Sequence, residues 1–158
     1  MKRMAALLLG IALLICSAYA GETALPTEDA LRTVTVCGEK YRLGADTPAA
    51  FARQGWTCEV EPDGVYAFYD AENASWFYAR TADGSPDAPI VTLNFLWADG
   101  VAVEYLGLAP EALWDGLARL FPTEADEEGA LTAQVPLPGG ETLRIETKGG
   151  RLRLSLIQ

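Results

Sequence analysis

Apolar residues recur at alternate positions through much of the chain, and glycine, proline or aspartate interrupts them at short intervals. Alternation puts one side of a segment in a core and the other in solvent, so it predicts antiparallel strands joined by tight turns. The first pair covers 33–36 and 41–43, a hairpin around Cys37-Gly38-Glu39-Lys40 in which Gly38 supplies a positive φ. Three strands follow at 57–60, 65–69 and 75–81, separated by Pro62-Asp63-Gly64 and by residues 70–74. A polar stretch, 82–89, closes this first unit. A second hairpin is expected from 90–97 and 101–106 around Ala98-Asp99-Gly100. The last strands are expected at 130–135, 141–147 and 151–157, with turns at Gly139-Gly140 and Gly149-Gly150.

The period lengthens in two places. Thr47 precedes Pro48, and proline at the first helical position sacrifices no hydrogen bond, which predicts a short helix over 48–54 capped by Thr47. Gly55 suits the left-handed residue that ends it, and Trp56 is then expected to touch Phe51. So short a helix draws its stability from packing. A second helix, 110–121, sets Leu113, Leu117, Leu120 and Phe121 on one face, and Pro122 stops it. Each half therefore reads as two strands, a helix and three strands, with Pro48-Ala49-Ala50-Phe51 matching Pro110-Glu111-Ala112-Leu113. The expectation is an α+β fold of two similar ββαβββ halves, about 31–81 and 90–157, each an antiparallel sheet packed by one helix. The second copy departs in having Ala109 as a poor cap and no Gly-Trp pair.

Residues 1–20 stand outside that pattern. Lys2 and Arg3, an apolar run over 5–15 and the small-x-small site Ala18-Tyr19-Ala20 read as a signal peptide cleaved before Gly21. The run is shorter than the about 20 residues that span a bilayer, so no membrane span is expected after cleavage. Lipidation of Cys16 is the competing reading, against which Ile15 occupies a place that needs a small residue. Removing residues 1–20 from 158 leaves 138, a single exported domain's worth, and takes the formal net charge from −10 to −12. So acidic a surface repels phosphate backbones and anionic headgroups, which argues against nucleic-acid and membrane partners. It also leaves Cys37 and Cys58 as a pair, which an oxidising compartment is expected to join in a disulfide.

The run VTVCGEKYRLGADTPAAFARQGW, residues 34–56, resembles the opening of small uncharacterised exported or lipid-anchored proteins of Gram-positive bacteria. That resemblance implies a secreted or extracytoplasmic place at the cell envelope and carries no mechanism. At the level of layout alone, a duplicated helix-on-sheet chain is similar to β-lactamase-inhibitor-like and PepSY-like envelope domains.

Chemistry is constrained mainly by what the chain lacks. It contains no histidine, which removes Ser-His and Cys-His nucleophile activation and the commonest zinc sites. No GxSxG, phosphate-loop or dinucleotide fingerprint occurs, so no catalytic residues, cofactor or metal are expected. Asp63, Asp70, Glu72, Asp83 and Asp87 are oxygen donors for calcium or a carboxylate pair only in principle, since acids in turns ordinarily form the turn. Trp76, Tyr78 and Arg80 share one side of a strand, and Tyr69 on the paired strand joins them, a composition favoured in binding hot spots. The simpler reading is that the second half or a helix covers them and Arg80 escapes at an edge. In the C-terminal hairpin, Leu143, Ile145, Leu152, Leu154 and Leu156 alternate with Arg144, Glu146, Arg151, Arg153 and Ser155. With Lys148 this makes a small basic patch, suited to an acidic partner or wall polymer, or more simply to cross-strand pairing with Glu146 and to guarding an edge strand. The expected function is a non-catalytic binding or inhibitory module whose partner is an envelope or extracellular protein or glycan. A carboxylate-based hydrolase or its accessory subunit, and a structural assembly subunit, are the alternatives.

Overall fold

The computed structural model describes residues 25–70, 75–96, 102–108 and 110–158, with backbone only for Asp70, Ser75, Trp76, Leu96, Pro110 and Glu111. The proposed signal peptide, Cys16, Glu72 and the Ala98-Asp99-Gly100 turn lie outside these residues. The chain is α+β and dominated by antiparallel strands. Its order is α1 (Glu28–Arg32), β1 (Thr33–Val36), β2 (Glu39–Arg42), α2 (Pro48–Arg53), β3 (Thr57–Val60), β4 (Tyr66–Asp70) and β5 (Ser75–Thr81). After these come β6 (Ile90–Leu96), β7 (Val103–Tyr105), α3 (Pro110–Leu120), β8 (Thr123–Ala125), β9 (Leu131–Pro136), β10 (Thr142–Lys148) and β11 (Arg151–Ile157).

Among the described residues two sheets form, a small one of order β2-β1-β7 and a large one of order β3-β4-β5-β6-β11-β10-β9-β8. In the first hairpin Val36 faces Glu39, so the turn is Cys37-Gly38 alone, with φ of 50° and 87°. Positive φ at both central residues matches the strands' twist. The second expected hairpin does not form. β6 lies in the large sheet between β5 and β11, whereas β7 pairs with β1 in the small sheet. The second half also gains β8, between Pro122 and the strand expected at 130–135, so four strands follow its helix where three follow the first.

The core lies where the two sheets and the helices bring their apolar sides together. One row of paired residues, Tyr66, Ala79, Leu93, Leu154, Ile145 and Ala133, crosses strands β4, β5, β6, β11, β10 and β9 on the inner face. Val34, Val36, Tyr41, Val103 and Tyr105 close it from the small sheet, and Leu113 and Leu117 from α3. Phe51 of α2 stacks on Tyr41, with centroids 3.7 Å apart, and lies 4.9 Å from both Phe68 and Phe77. At the end of α2 Gly55 has φ 92° and the Trp56 amide donates to the Phe51 carbonyl at 3.3 Å, but the Trp56 ring packs edge-on against Phe77, the ring that also meets Phe51. Thr47 is in the capping position but its side chain makes no capping bond.

The expected disulfide is not formed in the structure, where Cys37 and Cys58 are both free. Cys37 is exposed in the turn of the small sheet, whereas Cys58 lies on β3 of the large sheet, opposite Phe68 and against the core. Counting residues in the loop says nothing of which sheet each strand joins, and these strands do not pair.

Candidate functional site

Helices α1, α2 and α3 turn apolar side chains such as Leu31, Phe51 and Leu117 into the core. The opposite face of the large sheet keeps its own side chains at the surface. Two outward rows cross its centre, Tyr78, Asn94, Arg153 and Glu146, and beside it Arg80, Thr92, Ser155 and Arg144. Strand periodicity alone produces these rows, because every residue between them carries a core side chain. On β5, β6, β11 and β10 the outward charges are Arg80, Arg144, Lys148, Arg151 and Arg153 against the single carboxylate Glu146. This cationic face belongs to a chain of formal net charge −10.

Of the four expected binding residues, the register sets Tyr69 opposite Trp76 and Ala67 opposite Tyr78, so all four positions share this face. The side chain of Trp76 lies outside the described residues. Tyr69 donates its hydroxyl to Glu59, and this bond, with desolvation, pushes its pKa up to about 12. Arg80 is held by Asp63 at 2.9 Å, a residue of the turn before β4, and its side chain remains 51% exposed. Tyr78 and Arg80 line a shallow cleft of about 220 Å³ with Val65, Thr92, Asn94 and Arg153. Thr92 and Ser155 are joined side chain to side chain at 3.4 Å.

The basic hairpin lies on the other side of β6 from this aromatic strand, and the two readings from sequence share one sheet face. The edge-guarding interpretation is corrected: β11 sits between β6 and β10, and the edges are β3 and β8. Glu146 holds Arg144 at 2.8 Å and approaches Arg153 at 3.9 Å, while the buried Nε of Arg144 has no partner. Lys148 is paired with Glu128, which raises its pKa. Arg151 makes no ion pair among the described residues. Asn94, Thr92 and Arg153 were not legible as neighbours of Tyr78, because the insertion of the last hairpin beside β6 is a long-range pairing.

Among the described residues no group of three His, Cys, Asp or Glu side chains is placed to hold a metal ion. Asp63 is committed to Arg80, and Asp83 accepts from the Ser85 amide at 2.9 Å, which lowers its pKa. No described helix is long and apolar enough to cross a membrane. Comparison with known proteins found no matching family model, curated sequence or solved structure.

Proposed function

We propose that this chain is an exported, non-catalytic binding or inhibitory module of the cell envelope, which grips an acidic partner with the outer face of its large sheet. The observation that carries this reading is the cationic, tyrosine-bearing centre of that face on a strongly acidic molecule. Guanidinium groups recognise carboxylates through paired hydrogen bonds, and tyrosine adds rigid contact area. Local charge of one sign steers an opposite partner even when the net charge repels it. The signal-like start and the resemblance of residues 34–56 to exported Gram-positive proteins support the compartment. Descent from two ββαβββ halves is part of the proposal, supported by the two strands before and the run of strands after each of the helices that begin at Pro48 and Pro110, with β8 an addition in the second half.

The test is retention on immobilised polyglutamate at low salt. The wild-type chain is expected to be held despite its net charge and released as salt rises. Arg80→Glu with Arg153→Glu is expected to pass through unretained with an unchanged melting temperature. Equal retention of this double variant would sink the proposal.

A further inference from the structure

A separate groove of about 660 Å³ lies on the far side of the small sheet, bordered by α1 and α3. Its floor is Thr33, Thr35, Lys40 and Glu104, the side chains that strand alternation turns away from Val34, Val36, Tyr41 and Val103. Leu106, Leu108, Gly116 and Leu120 wall one side, together with the exposed Arg119, and Pro26 and Ala30 the other. The leucine wall is built by two local compromises. Leu106 has φ 54°, a left-handed conformation that leucine rarely adopts. Gly116 lets α3 close on Leu108, since a Cβ there would stand 2.2 Å from Leu108 Cδ1.

The volume is in the range of roughly 300–1,000 Å³ typical of small-molecule sites. Lys40 and Arg119 have no ion-pair partner among the described residues, so two uncompensated cations and one carboxylate, Glu104, line an otherwise mostly uncharged groove. A second depression of about 410 Å³ shares Ala30, Thr33 and Lys40 with the first and is lined beyond them by Asp29, Arg42 and Asp46. Lys40 therefore stands where a leucine-walled compartment meets a polar one. That arrangement suits an elongated ligand with an apolar tail and a negative head.

We propose that this groove binds a single long-chain fatty acid, with its tail along Leu106, Leu108 and Leu120 and its carboxylate at Lys40. The site is independent of the sheet face, so either reading can fail without the other. The experiment is titration of the full chain with palmitate below its micelle-forming concentration, followed by calorimetry, with hexadecanol as the uncharged competitor. One saturable site is expected, and hexadecanol should compete at least about tenfold less well, the factor that separates affinities by one decade. Thr35→Trp, which fills the floor, is expected to abolish binding, and Lys40→Glu to weaken it by about tenfold or more. Both are surface substitutions that should keep the wild-type circular dichroism, and Arg80→Glu with Arg153→Glu should bind palmitate normally. Absence of a saturable site, equal competition by hexadecanol, or wild-type affinity in folded Thr35→Trp would overturn the proposal.

Discussion

Tyr41 is buried, stacked on Phe51, and its hydroxyl has no hydrogen-bond partner. An unpaired buried hydroxyl is a standing cost, so Tyr41→Phe is expected to stabilise the chain by about 1 kcal/mol in urea unfolding. Burial also pushes the Tyr41 pKa from 10.0 up to about 12 and raises that of Tyr105, whose hydroxyl donates to the Leu31 carbonyl at 2.7 Å. Between those values the folded chain keeps protons that the unfolded chain releases. Stability contributed by these tyrosines is therefore intact below pH 10 and is lost as pH rises toward 12 and beyond. Urea midpoints measured across that interval should fall, and less steeply in Tyr41→Phe. Glycine positions separate in the same way. Gly55 has φ 92° with open space around it, so Gly55→Ala should cost about 1 kcal/mol from backbone strain alone. Gly44→Ala should cost more, because its Cβ would stand 3.0 Å from both Arg32 Nη1 and Leu156 Cδ1. Paired thermal melts test the order.

Among elements, α1 shows how a short helix is held. Thr27 accepts from the Ala30 amide at 3.2 Å, and Glu28 and Asp29 sit in the first turn. The buried Arg32 joins Glu28 at 2.8 Å and reaches Glu141, tying the helix to the loop before β10. Truncating Glu141 leaves the buried cation with Glu28 alone, whereas an apolar replacement of the arginine removes the need for a partner. Glu141→Ala should therefore destabilise the fold more than Arg32→Met does, a difference readable by denaturant unfolding. Threonine with two acids and a later arginine is a helix signature, so α1 was legible though unread. β8 was not, since Thr123-Glu124-Ala125 has no apolar alternation and is a strand only because its backbone pairs with β9. In α3, Leu117 is wholly buried beside Leu113, and Leu117→Ala should cost about 2–5 kcal/mol.

For the whole molecule the informative residues are the thiols. Cys37 and Cys58 occupy different sheets, so both should react with a maleimide in the native chain, Cys37 faster because it is exposed and Cys58 slower because burial raises its pKa. A single adduct at full reaction would contradict the fold. Most strands, their turns and the inward or outward sense of their residues were determined by the sequence itself, because alternation and glycine placement act over a few residues. The row of leucines in the last hairpin and the cluster around Phe51 followed directly from that local rule. Only the tertiary structure decided that β6 and β7 part company, that the final hairpin inserts beside β6, and that Arg153 thereby lines the same cleft as Tyr78. Those choices depend on which apolar faces best enclose one another across tens of residues. Backbone hydrogen bonding is the same for any pair of strands, so nothing local records the partner.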